Sequence, residues 1–412
     1  FSDQIERLLM TLLLVLFVGS GCAALIYQIV WFQLLQLVIG SSAVSLGVLL
    51  GTFMGGMCLG SLALAQVISA RPHPLRVYAL LELGIAAFAI LALFLIPIVG
   101  EVYSAFGGQG IGGVFLRAVM CAVCLLPPTV LMGATLPAIA RWLRNTPGGV
   151  SWLGYFYAGN TAGAVFGCLL AGFYLLRVHD MATATYVAVL INVAVAAMGL
   201  GLASETQHDA SANDDSSAAA AIAKGGAPVY LTIALSGFTA LGAEVIWTRD
   251  LSLLLGGTTY TFSIILAVFL IGIGLGSSAG SYVTRDLLRP RLALGICQLL
   301  LVAAIGWTAY AISNSLPYWP VIPEIVSSPW YLFQLDLVRC TFAILPAACL
   351  WGASFPLALA AIATERQDPG RMVGAVASSF WRAWVASRFV RASGASIFWT
   401  PLGTRRRLPT AA

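Results

Sequence analysis

Charge is what this sequence has least of. Its 412 residues include 21 Lys and Arg and 16 Asp and Glu, and lysine occurs once, at Lys224. A soluble domain carries roughly 25% charged residues; here the figure is 9%, too few to coat water-soluble domains of this size. Histidine is also scarce. His73 and His179 lie between apolar runs, His208 lies in a polar stretch, and no nucleophile–base pair stands at a recognisable spacing. No catalytic residue is therefore named, and a soluble enzyme is excluded as a description of the whole chain. The net charge of +5 comes from arginines scattered in loops, which excludes a lysine-rich nucleic-acid surface. Of the eight cysteines, Cys22, Cys58 and Cys168 sit inside apolar runs, where they pack as small hydrophobes. Cys121-Ala-Val-Cys124 has no second pair and no nearby histidine, whereas zinc wants four ligands. No metal and no cofactor is expected.

What the chain has in abundance is apolar residues, 60% of the total, with a mean hydropathy of +0.93. A helix needs about 20 apolar residues to cross a bilayer. Runs of that kind occupy 8–38, 43–69, 77–99, 113–143, 152–177, 183–203, 229–255, 258–284, 291–315 and 335–363. The expected fold is all-α: a polytopic membrane helical bundle of about 10–11 spans, with the lipid bilayer as its first partner. The first run is too long for a straight crossing, so it should bend at Gly19-Ser20-Gly21 or tilt steeply. Pro127-Pro128 and Pro137 should break the hydrogen-bond ladder of the fourth. The chain begins at Phe1 rather than methionine, which implies a preceding segment.

Residues 204–227 are polar, without apolar periodicity, and read as a linker. The segments on either side of it repeat one another. Residues 20–61 align without a gap onto 236–277, with 14 identical positions that include Trp31/Trp247, Gly40/Gly256, Phe53/Phe269 and Gly56/Gly272. Gly133-Ala-Thr-Leu-Pro137 recurs as Gly352-Ala-Ser-Phe-Pro356. The expected organisation is a first membrane repeat over 1–203 with six spans, the linker, a second repeat over 228–374 with at least four spans, and a basic tail over 375–412. Arg71, Arg76, Arg141, Arg144, Arg285, Arg289, Arg291, Arg366 and Arg371 all follow even-numbered spans. By the positive-inside rule the N-terminus and the linker are cytoplasmic. An even number of spans in the first half makes the two repeats parallel, with a pseudo-two-fold axis along the membrane normal like that of major-facilitator (MFS) transporters.

The stretches Ser20–Leu35, Gly133–Pro137 and Gly154-Tyr-Phe-Tyr157-Ala-Gly-Asn160-Thr161-Ala-Gly163 resemble the bacterial fused MFS/spermidine synthases, over about residues 10–374. That resemblance implies a multi-span domain of the bacterial inner membrane, preceding a cytoplasmic spermidine-synthase-like domain that carries aminopropyl transfer. This chain holds no such soluble domain. The loop Ala70-Arg71-Pro-His-Pro-Leu-Arg76 also lacks the Asp-Arg-rich pattern of major-facilitator transporters. After Gly374 the repeat stops, and Arg382, Arg388 and Arg405-Arg406-Arg407 interrupt what should be a span. A frameshifted or truncated reading explains this; a basic amphipathic tail on anionic lipid is the alternative. Two functions follow from the resemblance. One is a transporter-like module for a small, cationic, polyamine-type metabolite. The other is a membrane anchor or regulatory scaffold for the absent aminopropyltransferase-like domain.

Polar groups inside a membrane are costly and usually functional. Glu82 lies in the third span, with Gln298 as its repeat mate. Gln28 and Glu244 are mates, each three residues before a tryptophan, Trp31 and Trp247. That spacing puts polar group and indole on one helix face, an arrangement suited to a cation through charge and cation–π attraction. The alternative for Glu244 is a pairing with Arg249 or Arg339 that fixes helix packing. Arg249-Asp250, near the end of the seventh span, reads as an interfacial anchor or a gate, and Asn160 as a helix–helix hydrogen bond. Trp152, Tyr155 and Tyr157 read as an interfacial belt. Gly107–Gly113 and Gly272-Ile-Gly274-Leu-Gly276 are glycine-rich but lack the strand–helix setting of a nucleotide loop. Accessibility tags at Arg71 and Thr206 should label from the same side of the membrane; labelling from opposite sides would contradict the parallel arrangement.

Overall fold

The protein is an all-α polytopic membrane bundle, seen in a computed structural model that describes residues 2–40, 42–67, 73–106, 111–144, 149–205, 227–284, 288–319 and 329–362. The linker and the tail, and with them the account of arginines beyond Gly374, lie outside the described residues. Ten long helices follow the ten apolar runs: α1 (Ser2–Ile39), α2 (Ala43–Val67), α3 (Pro74–Phe106), α4 (Ile111–Arg144), α5 (Gly149–Leu170), α6 (Met181–Glu205), α7 (Ala227–Leu255), α8 (Thr259–Val283), α9 (Pro290–Tyr310) and α10 (Pro329–Ile362). All ten are long and apolar enough to cross a bilayer. Helices prevail because hydrocarbon offers no partner to a backbone amide, so each span must pair its own.

Several helices outrun their apolar runs. α1 continues without interruption through Gly19-Ser20-Gly21, and α4 through all three of its prolines. The ladder has the expected gaps, since a proline has no amide to donate, and the helix runs through them. Beside the proline pair the Thr129 hydroxyl donates to the Leu125 carbonyl at 2.6 Å. Beyond α5 the chain widens into a π turn, Ala171–Leu175, and ends in a last α turn, Leu176–Val178. α9 ends in the same way, with a π turn at Ala311–Ser315. At the head of α6 the exposed Asp180 carboxylate accepts a hydrogen bond from the Thr183 amide at 2.8 Å. Its bonds to the Thr183 hydroxyl and amide hold its carboxyl below the usual carboxylate range.

The corners joining α1 to α2 and α7 to α8 are built alike. Gly40 and Gly256 both take positive φ, +84° and +104°, a conformation glycine adopts without a Cβ penalty. Their amides donate to Gln36 O at 2.9 Å and to Ser252 O at 3.0 Å. Two residues further on, a hydroxyl caps the next helix in each half: Ser42 Oγ accepts from the Ser45 amide at 3.1 Å, and Thr258 Oγ1 from the Thr261 amide at 3.3 Å.

The main helix contact of each half also has a counterpart in the other. α2 packs against α4, and α8 against α10. Gly60 rests on the Val130 carbonyl and Gly276 on the Cys349 carbonyl, while Gly133 rests on Met57 O and Gly352 on Ile273 O. With no Cβ at these points, backbone meets backbone, the close approach that small residues allow in lipid. The glycine-rich run from Gly272 to Gly276 therefore serves packing. The halves meet through α5 on α8 and α2 on α7, with Phe32 stacked on Phe262 at 4.4 Å between centroids, Gln33 Nε2 donating to Thr259 Oγ1, and Cys168 Sγ to Ser263 O at 3.2 Å. One difference stands out. α1 is covered by α5 and α6, so that Gly21 sits on the Asn160 carbonyl, whereas among the described residues no helix pair covers the corresponding face of α7 and Phe238 is 57% exposed.

Gly60→Leu or Gly276→Leu should drive a side chain into a carbonyl and lower the melting temperature of detergent-purified protein, by about 1–3 kcal/mol of overpacking or more. Gly51→Ala, whose Cβ would meet open space, should leave it unchanged. Equal losses at all three positions would contradict the packing account.

Candidate functional site

α3 carries Glu82 to the middle of the first half, where it is fully buried. Its Oε1 accepts a hydrogen bond from Ser20 Oγ on α1 at 2.6 Å, and its Oε2 is buried with no partner. A cavity of about 50 Å³ adjoins it, lined by the polar side chains Ser20, Thr135, Asn160 and Asn192 and by Ala24, Ile85, Met57 and Met132. Six helices, α1 to α6, thus each supply a side chain. Asn192 of α6 is 1% exposed; its Nδ2 reaches the Glu82 backbone carbonyl at 3.4 Å and its Oδ1 has no partner. The Tyr78 hydroxyl, one turn before Glu82, lies beside Glu82 and Ser20 and is unpartnered. Thr135 spends its hydroxyl hydrogen on Met132 O at 2.7 Å. Among the described residues no cationic side chain pairs with Glu82; Arg339 pairs with Asp336 at 3.6 Å within α10.

The second half has a related but satisfied arrangement. Gln298, the counterpart of Glu82, donates from Nε2 to Ser354 Oγ at 2.9 Å, and Ser354 is the counterpart of Thr135 in the recurring Gly-Ala-Thr/Ser-x-Pro motif. Ser354 in turn donates to Leu350 O at 2.8 Å. Where the first half holds an under-bonded acid, the second holds a bonded amide.

Glu244 and Trp247 are both buried on one face of α7, and Glu244 Oε1 has no hydrogen-bond partner. The pairing of Glu244 with Arg249 or Arg339 does not occur: Arg339 faces Asp336 on its own helix, and Arg249 is exposed. Sequence offered two arginines, but the helix face sends Arg249 outward. Asp250 is half-buried, and among the described residues neither it nor Arg249 forms an ion pair. Trp247 lies against Trp351 of α10, centroids 5.4 Å apart, and Trp351 against Phe269 at 5.9 Å. In the first half Trp31 stacks on Tyr27 at 5.0 Å, and the indole nitrogen of Trp31 and the amide nitrogen of Gln28 are buried without partners.

Glu82 and Asn160 therefore share one cavity, Glu244 and Trp247 lie in the other half, and Gln28 and Trp31 occupy the core of α1. Asn160 also supports helix packing through its carbonyl against Gly21. The side chains of Trp152 and Tyr155 lie outside the described residues. Ser20, Tyr78, Thr135 and Asn192 were not singled out from sequence; Asn192 carried a signal, a lone amide in the apolar run 183–203. Among the described residues no group of three His, Cys, Asp or Glu is placed to hold a metal. Compared with known proteins, the chain matches no family model and no curated protein.

An unpaired carboxylate in a buried site costs stability that a neutral isostere does not. In choline buffer, Glu82→Gln, which copies Gln298, should raise the melting temperature of the purified protein. A fall of several degrees would mean that the carboxylate is compensated in the folded state.

Proposed function

We propose that this chain is the membrane domain of a fused MFS/spermidine-synthase-like protein and acts as a transporter-like module for a small cation of the polyamine class. The observation that carries the reading is the pair of buried carboxylates, Glu82 and Glu244, neither of them ion-paired among the described residues. Intramembrane acids without a protein cation mark ion or substrate pathways. Glu244 suits an organic ammonium best, because Trp247 shares its face and the Trp247–Trp351–Phe269 cluster supplies aromatic surface for cation–π attraction. The like-built corners and glycine contacts of the two halves support a duplicated, parallel unit with cargo passing between the copies, in a bacterial inner membrane with the N-terminus cytoplasmic. The recurrence of the motifs at Ser20–Leu35 and Gly133–Pro137 supports the family placement.

Reconstituted in proteoliposomes, the protein should carry labelled putrescine or spermidine down an imposed gradient. Glu244→Gln should reduce that flux to the level of empty vesicles while the purified protein stays monodisperse. Absence of flux in the unaltered protein, or full flux in the variant, would contradict the transport reading; absence of flux would favour a membrane anchor for a cytoplasmic aminopropyltransferase-like domain.

A further inference from the structure

The Glu82 cavity has a chemistry of its own, distinct from the aromatic surroundings of Glu244. Its polar lining offers oxygen: Glu82 Oε2 and Asn192 Oδ1, both buried and outside any hydrogen bond in the structure, together with Ser20, Thr135 and Asn160, with the Tyr78 hydroxyl beside Glu82 as a neutral donor. An acceptor-only carboxylate oxygen and an amide oxygen left bare in the same place call for a positive ligand, since burying either without a partner is costly. Nothing in the protein supplies it: among the described residues no arginine, lysine or histidine pairs with Glu82. The lining carries one formal negative charge, which balances a monovalent ion and undercharges a divalent one. The carboxylate, amide and hydroxyl oxygens suit a hard cation. The cavity, about 50 Å³, has room for a water-sized ligand.

We propose that this cavity is a sodium site, with Glu82 as the charged ligand and Asn192 as a neutral one. It stands in the same membrane domain as the proposed cargo path but does not depend on cargo moving. The counterpart position explains why only one half has it: Gln298 is neutral and already spends its amide on Ser354. A proton on Glu82 would neutralise the acid but leave Asn192 Oδ1 bare, whereas an ion satisfies both oxygens at once.

The test is equilibrium binding of radiolabelled sodium to the full chain in detergent, in choline buffer at constant ionic strength, without any polyamine. Saturable binding near one ion per chain is expected, with a rise in melting temperature of several degrees on adding sodium chloride. Potassium should raise it less. Glu82→Gln should abolish both responses, Asn192→Ala should weaken binding at least tenfold, and Glu244→Gln should leave it unchanged. No saturable binding by the unaltered protein, binding that survives Glu82→Gln, or an equal response to potassium would overturn the assignment. A stabilisation that follows pH alone, without sodium, would do the same and identify a proton site. If Glu82→Gln fails to fold, binding by the unaltered protein and by Asn192→Ala still decides the question. Because no cargo is present, a negative result here leaves the flux measurement intact, and absence of polyamine flux leaves this site standing.

Discussion

Hydrocarbon supplies neither hydrogen bonds nor counter-charges, so every polar atom carried into it must be answered from within the protein. Most of this molecule obeys that demand in the simplest way, by helices that close their own ladders and meet over glycine. At Gly60, Gly133, Gly276 and Gly352 a carbonyl of the facing helix occupies the place where a Cβ would be. Thr129, Thr135 and Thr185 return their hydroxyl hydrogens to carbonyls on their own helices. Against that background the unanswered atoms are conspicuous. Glu82 Oε2, Asn192 Oδ1 and Glu244 Oε1 are acceptors in a medium that punishes bare acceptors.

The comparison of the two halves sharpens the point. Both turn their first corner on a left-handed glycine followed by a hydroxyl cap, and both bury the same glycine contacts. They differ where chemistry is at stake. Glu82 and Thr135 flank a cavity in one half, while Gln298 and Ser354 bond to each other in the other. An acid placed where the same architecture accepts an amide serves something other than folding. Among the described residues the halves also differ in cover, since α1 is enclosed by α5 and α6 and no helix pair covers the matching face of α7.

Much of this was legible beforehand, for physical reasons. Twenty apolar residues in a row leave a chain little choice but to span, so the ten helices followed from composition and run length. Gly40 and Gly256 stood out only as identical positions of the repeat; that each turns a corner at positive φ, cheap only for glycine, came from the structure. Helix ends were less legible, as apolar runs mark the hydrocarbon and not the turns that protrude beyond it: α3 extends to Phe106, well past the run that ends at 99. The prolines of α4 were legible as gaps in its ladder, and the helix runs through them with α2 and α3 packed against it. Side-chain partners were the least legible. Nothing in the sequence told which face of α7 carried Arg249, and Asn192 became part of a site only once α6 lay beside α3.

The claim that joins fold to function is that Glu82 and Glu244 are held without a cation from the protein itself. Infrared difference spectroscopy of the purified protein, recorded on exchanging choline for small cations, reads those carboxyl groups directly. The account predicts carboxyl bands that respond to added cation and disappear from the difference spectrum when both acids are replaced by glutamine. Bands that stay fixed whatever cation is present would show the two acids already paired inside the protein, and would contradict it.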